Sequence, residues 1–141
     1  FNKSETSQSY FQPPLELHEI NYFEEITIND VKINSIKQNH GVIDTLGFIF
    51  NDVFAYCTDV VGFPEKSFEY LRKMKVLIIT GLRQSPHMAH AHFDLSFEWI
   101  AKLNPDIAYL THLSPESDHD VVTKLCPPNT YPAYDGLVID I

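Results

Sequence analysis

The sequence has few basic residues: Lys and Arg total 10 against 19 Asp and Glu, which gives a formal net charge of -9. A surplus of this sign disfavours broad electrostatic capture of nucleic acid or of an anionic lipid surface. It still allows a phosphate-bearing substrate, because a bound dication or two can reverse the sign of the local field.

Cysteine is also scarce, since Cys57 and Cys126 are the only two and no Cys-x-x-Cys spacing links them. This usage fits a reducing cytosol and disfavours a disulfide. No apolar run approaches the ~20 residues of a membrane-spanning helix, and the first residues do not form a signal peptide. We therefore expect a cytoplasmic protein that does not cross a membrane.

Glycine is too sparse to build a phosphate-cradling loop, with only five in the chain, and no Gly-x-Ser-x-Gly sequence occurs. Neither cysteine has a histidine nearby in the sequence. The familiar patterns of nucleophilic side-chain catalysis are therefore missing. Their absence favours chemistry by metal-activated water.

Apolar residues are plentiful, at 44% of 141 residues with 13% aromatic, so the chain is long enough for one globular core. Residues 1–14 are polar and end in Pro13-Pro14, which predicts a mobile loop segment. Residues 15–141 are then expected to form a single domain.

Hydrophobic periodicity predicts an α/β fold with two hairpins followed by alternating strands and helices. The predicted strands cover residues 25–28, 31–36, 46–50, 53–57, 76–80 and 107–110. The predicted helices cover residues 64–74, a second segment from an N-cap at Asp94 to Asn104, and residues 118–125. This succession indicates a mixed sheet faced by helices.

Histidine is abundant, with seven in the chain. Imidazole and carboxylate together form the ligand set of zinc and manganese sites. Asp59 and His112 each follow a predicted strand, and His40 ends another beside Gly41, so all three are candidate ligands. The alternatives are a turn-initiating aspartate and histidines hydrogen-bonded to neighbouring loops.

The densest histidine cluster lies just before the second predicted helix and comprises His87, His90, His92 and Asp94. It could supply metal ligands, a proton donor to a leaving oxygen, or a phosphate contact at the helix start. The alternative is that some members pack or cap while the others face water. His90, His92 and Asp94 also imitate a His-x-His-x-Asp-His metal motif, although Leu95 fails its last position.

In their order and spacing these residues resemble the C-terminal half of a metallo-β-lactamase-fold hydrolase. The matching segments are His40-Gly41, Tyr56-Cys57-Thr58-Asp59, residues 86–92, Glu98-Trp99-Ile100, Leu110-Thr111-His112 and residues 132–136. Within that superfamily the chain is most similar to the branch of the carbon-phosphorus lyase accessory phosphodiesterase (PhnP), from about residue 15 to the end.

The resemblance implies a four-layer αββα sandwich with two divalent metal ions, zinc or manganese, at the rim between its sheets. It implies that His40 binds one ion, Asp59 bridges both and His112 binds the second. His90, or with a poorer match His92, would contact the scissile phosphate or protonate the leaving group. The implied reaction is hydrolysis of a small cyclic or nucleotide-like phosphodiester, and relatives of this kind are often homodimers.

One departure from the family pattern is large. The first metal motif, Thr-His-x-His-x-Asp-His, supplies most of the ligands but is absent, and the chain starts at Phe1 rather than at methionine. We therefore expect this sequence to be the C-terminal portion of a longer hydrolase. One face of its sheet should then be exposed until the other half or a partner covers it.

Two competing hypotheses remain. The chain could be a non-catalytic module that keeps the fold but binds a nucleotide or a partner chain without a complete metal site. Alternatively, His90, His92 and Asp94 could form the primary metal site of an unrelated hydrolase.

Overall fold

The computed structural model describes residues 16–72 and 74–141, and this part of the chain forms one seven-stranded sheet with three helices. The predicted mobile segment, residues 1–14, lies outside the described residues. The strands are β1 (Glu25–Ile28), β2 (Val31–His40), β3 (Ile43–Phe50), β4 (Phe54–Cys57), β5 (Val76–Thr80), β6 (Ile107–Thr111) and β7 (Thr130–Pro132). The helices are α1 (Glu65–Leu71), α2 (Phe93–Leu103) and α3 (His119–Leu125).

The sheet is antiparallel from β1 to β4 and parallel from β4 to β7, and its strands lie side by side in sequence order. Each helix connects two neighbouring parallel strands. Such crossovers are right-handed, so successive ones in one direction place their helices on the same face. The core agrees with this, because Leu77 and Leu110 of the sheet are buried in one cluster with Phe68 of α1, Trp99 of α2 and Val122 of α3. The predicted α/β class is correct.

The opposite face of the sheet carries a row of aromatic and aliphatic side chains that are partly exposed in the described part of the chain. In the register of strands β4 to β7, the following residues lie side by side across the sheet: Tyr56, Ile78, Tyr109 and Tyr131. Tyr56 and Tyr131 are 40% and 46% exposed. A sheet with helices on one face and apolar side chains on the other has the arrangement of one half of an αββα sandwich.

Most predicted element boundaries agree with the structure, and the differences have physical causes. Strand β2 continues past residue 36 to His40 because its polar residues after Ile36 still pair with β3, and one of them, Gln38, is fully buried. Helix α2 begins at Phe93 with His92 as its N-cap residue, so the N-cap prediction for Asp94 is wrong. Asp94 instead lies in the first turn, where a carboxylate interacts favourably with the helix dipole. Strand β7 was not predicted because it has only 3 residues and includes Pro132.

No helix within the described ranges is long and apolar enough to cross a membrane. Cys57 is fully buried and Cys126 is partly buried, and both are free thiols. The prediction that they form no disulfide is confirmed.

Candidate metal centre

The predicted ligands all lie at one edge of the sheet. His40 is the last residue of β2, Asp59 lies two residues beyond β4, and His112 directly follows β6. Because β2 is antiparallel to β3 and β3 is antiparallel to β4, β2 runs in the same direction as the parallel strands β4, β5 and β6. The carboxyl ends of these strands therefore meet at the same edge, where open α/β sheets commonly build their sites.

The carboxylate of Asp59 lies at the centre of the cluster. Its Oδ1 atom lies 4.0 Å from His40 Nε2, 3.8 Å from His90 Nδ1 and 3.8 Å from His112 Nε2. The donor atoms of His40, Asp59 and His90 all lie within 4.8 Å of one another. Two ligands that share a tetrahedral ion at about 2.1 Å are roughly 3.4 Å apart, so this spacing needs little adjustment to hold a metal.

The imidazole of His40 has the tautomer that a metal ligand requires. His40 Nδ1 lies 2.7 Å from the carbonyl oxygen of Ala89. A carbonyl can only accept, so Nδ1 carries the proton and donates it. The Nε2 lone pair of neutral His40 is therefore free and is directed toward Asp59. Metal-binding histidines usually make this kind of outer hydrogen bond, which fixes the ring orientation.

His90 is surrounded by three other imidazoles. Its ring centroid lies 4.6 Å from that of His40 in an edge-on contact, 4.7 Å from that of His112 in a stacked contact, and 5.1 Å from that of His87. Burial lowers the pKa of His90, and positive charge on His112, His40 and His87 lowers it further, against the opposing effect of Asp59. His90 is therefore neutral near pH 7.

One buried nitrogen of the cluster that makes no hydrogen bond to the described residues helps to test whether a metal ion would fit. His90 Nδ1 is buried and has no hydrogen-bond partner among the residues that the structure describes. The side chains of Asp59 and His112 remain 45% and 40% exposed, so the cluster is open to solvent on one side. Nitrogen and oxygen donors that converge on an accessible position suit zinc or manganese, so the residues present fit the implied ions.

Backbone hydrogen bonds hold the histidine-rich loop between the two other loops of the site. The amide of Ala91 donates to the Val60 carbonyl at 2.7 Å, which ties the loop to the Asp59 segment. The carbonyl of Leu82 accepts from the amide of Ser114 at 2.8 Å, and the amide of Leu82 donates to Ala91 at 2.9 Å. These bonds connect residues distant in sequence and place His90 beside the side chains that follow β4 and β6.

Asp59 and His112 both adopt a left-handed backbone conformation, with φ of 55° and 64°. This conformation costs a residue with a side chain roughly 1–2 kcal/mol, and it persists where the surrounding structure fixes it. Two such residues, each just beyond the end of a strand and facing one another, are typical of a functional site.

The structure does not bring every candidate into the cluster. His92 precedes α2, and its carbonyl accepts hydrogen bonds from the amide and hydroxyl of Ser96. Within residues 16–72 and 74–141, no ion pair or ring contact connects His92 to Asp59. The one metal-capable group found there comprises His40, Asp59 and His90, so it contains neither His92 nor Asp94, and His112 lies beside it through Asp59. The catalytic role of His92 stays a prediction without geometric support, and the separate metal site at His90, His92 and Asp94 is not assembled. His87, another member of the predicted cluster, lies beside His90, with the two ring centroids 5.1 Å apart.

The half-sandwich fold and the histidine–aspartate cluster together indicate one half of a metallo-β-lactamase-like domain. The chain belongs to the β-lactamase superfamily: the model of the β-lactamase superfamily domain matches residues 2–113. The family resemblance seen in the sequence is therefore confirmed. Comparison with curated proteins found no match.

Three of the solved structures that are similar to this chain illustrate the match. A diphosphatase from the PhnP family has a TM-score of 0.85 and 30% identity, and the match covers 89% of this chain and 49% of that one. The metallo-β-lactamase fold protein YhfI from Bacillus subtilis has a TM-score of 0.68 and 14% identity, with 86% and 54% covered. A protein described as a zinc-dependent hydrolase of the metallo-β-lactamase superfamily, from Thermotoga maritima, has a TM-score of 0.55 and 17% identity, with 76% and 58% covered. The chain thus spans about half the length of the structures it matches.

Proposed function

We propose that the protein containing this chain is a metal-dependent phosphodiesterase that hydrolyses a small cyclic or nucleotide-like phosphodiester. The observation that carries the proposal is the Asp59 carboxylate with three histidine nitrogens within 4.0 Å of one of its oxygens. Membership of the β-lactamase superfamily and the 30% identity to a diphosphatase of the PhnP family support it.

In this proposal His40 and Asp59 hold one divalent ion, and Asp59 and His112 hold a second. The ions are zinc or manganese, since imidazole and carboxylate suit both. When bound, such ions lower the pKa of a coordinated water and neutralise the charge of a phosphate. Asp59 could contribute to both sites because its Oδ1 atom lies 4.0 Å from His40 Nε2 and 3.8 Å from His112 Nε2.

His90 has a different role in the proposal. Its Nδ1 faces the Asp59 carboxylate and has no hydrogen-bond partner in the described part of the chain. The His90 imidazole, beside the Asp59 carboxylate, would contact a phosphate oxygen or pass a proton to the leaving oxygen. The anionic phosphate would favour the protonated imidazole, in opposition to the burial that lowers the pKa of His90.

The test uses the full-length protein, stripped of metal with a chelator and then supplied with Mn²⁺ or Zn²⁺. We expect hydrolysis of bis(p-nitrophenyl) phosphate and of a 2′,3′-cyclic nucleotide, its loss on chelation and its recovery with either ion. A p-nitrophenyl monoester and a nucleoside diphosphate serve as comparison substrates.

Each outcome of this test separates the candidate functions. Cleavage of the nucleoside diphosphate alone would replace the phosphodiesterase with a diphosphatase, the activity named for the similar PhnP-family structure. Metal binding without cleavage of any substrate would favour the non-catalytic nucleotide- or partner-binding module. The cytoplasmic location and the homodimer remain predictions.

A further inference from the structure

A buried polar pair connects the antiparallel strands to the Asp59 segment. Gln38 of β2 has 0% exposure and pairs in register with Thr45 of β3. The Nε2 group of Gln38 donates to the carbonyl of Thr58 at 2.8 Å and to the hydroxyl of Thr45 at 3.2 Å. The hydroxyl of Thr45 then donates to the carbonyl of Asp59 at 2.8 Å.

These hydrogen bonds hold both peptide groups that flank Asp59. The Thr58 carbonyl belongs to the peptide before the Asp59 Cα atom, and the Asp59 carbonyl belongs to the peptide after it. Holding both planes fixes the two backbone dihedrals of Asp59, which has the left-handed φ of 55°. The direction of the Asp59 side chain follows from those dihedrals.

Packing alone would not favour a buried glutamine at position 38, because this arrangement has two energetic costs. The Oε1 atom of Gln38 is buried without a hydrogen-bond partner in the described residues, which costs about 1–3 kcal/mol. Gly47 supplies the space for the amide, since a Cβ atom there would lie 2.5 Å from Oε1. Glycine inside a strand also weakens the sheet. An apolar residue at position 38 would avoid the unpaired oxygen, but it could not donate to the Thr58 carbonyl or to the Thr45 hydroxyl, which in turn holds the Asp59 carbonyl.

We propose that Gln38, with Thr45, is a positioning residue that directs the Asp59 carboxylate between His40 and His112. Neither side chain touches the ions or the substrate; they act through the backbone of Asp59. The inference rests on the metal site of the proposed function, and its test includes Asp59→Asn so that the two can fail separately.

The measurement is the affinity of the metal-free, full-length protein for Mn²⁺, followed by electron paramagnetic resonance, together with its thermal unfolding. We expect Gln38→Leu to weaken Mn²⁺ binding about 10–100-fold, the usual effect of losing a group that orients a ligand. Thr45→Val should weaken binding in the same direction, whereas Thr45→Ser, which keeps the hydroxyl, should bind normally. Val122→Ala is the stability control, because Val122 is buried in α3 away from the site and its truncation should lower the melting temperature without changing affinity.

The inference is overturned if Gln38→Leu and Thr45→Val both bind Mn²⁺ like the wild type while Asp59→Asn does not. If Asp59→Asn also binds normally, the metal site itself is wrong. Should Gln38→Leu fail to fold, the comparison of Thr45→Val with Thr45→Ser decides, because valine and threonine have nearly the same shape.

Discussion

Asp59→Asn is expected to reduce phosphodiester hydrolysis by the full-length protein, and its affinity for Mn²⁺, by more than about 100-fold. Loss of a group that only orients a ligand typically costs 10–100-fold, and Asp59 is proposed to contact both ions directly. The amide keeps the size of the side chain and tolerates a left-handed backbone, so the change removes mainly the negative charge. Metal titration and steady-state kinetics measure the two effects.

Asp52→Asn is the matched control for this substitution. Asp52 is also an aspartate with a left-handed backbone, at φ of 56°, but it lies in the turn before β4 and pairs with Lys32 at 2.8 Å. Its replacement should leave activity and affinity unchanged, since an exposed ion pair contributes only about 0–1 kcal/mol. Equal effects of the two substitutions would show that the loss at Asp59 comes from the backbone and not from the site.

His90→Gln is expected to lower kcat about 10²–10⁴-fold, the usual contribution of a proton donor, while the protein retains its full metal content. The loss should be largest for a substrate whose leaving group is a sugar hydroxyl, which must be protonated as it departs. It should be smaller for bis(p-nitrophenyl) phosphate, because p-nitrophenolate leaves without a proton. Comparing kcat for the two substrates, with metal analysis of the same sample, measures the role of His90.

His92→Gln is the control for His90, because His92 makes no ring contact or ion pair with the cluster in the described residues. It should leave kcat nearly unchanged for both substrates. If His90→Gln instead loses metal, His90 is a ligand and the proton-donor role is wrong. This alternative has a geometric basis, since the donor atoms of His90, His40 and Asp59 lie within 4.8 Å of one another.

The sequence predicted which candidate ligands follow a strand, because hydrophobic periodicity depends only on residues that are close together in the chain. Strands that end near Cys57 and Leu110 placed Asp59 and His112 at one edge of a parallel sheet, and the structure confirms that placement. The roles of His90 and His92 could not be separated in this way. Their positions depend on hydrogen bonds between distant segments, such as that from Ala91 to Val60, for which the sequence carries no local signal.

The end of β2 was not predicted from the sequence, and it contains polar residues that are paired in the sheet. The predicted range of β2 covered only residues 31–36, although the observed strand also includes Lys37, Gln38 and Asn39. All three pair with β3, and Gln38 is buried beside the metal site. Gln38 therefore lies in the part of β2 that the sequence did not predict, and its side-chain amide is the group that we propose positions Asp59.

Anomalous diffraction from crystals of the full-length protein grown with Mn²⁺ or Zn²⁺ tests the central claim most directly. The account predicts two metal peaks about 2.0–2.2 Å from the Asp59 carboxylate, one also bound by His40 Nε2 and the other by His112 Nε2. Metal peaks beside His92 and Asp94, or none beside Asp59, would contradict it.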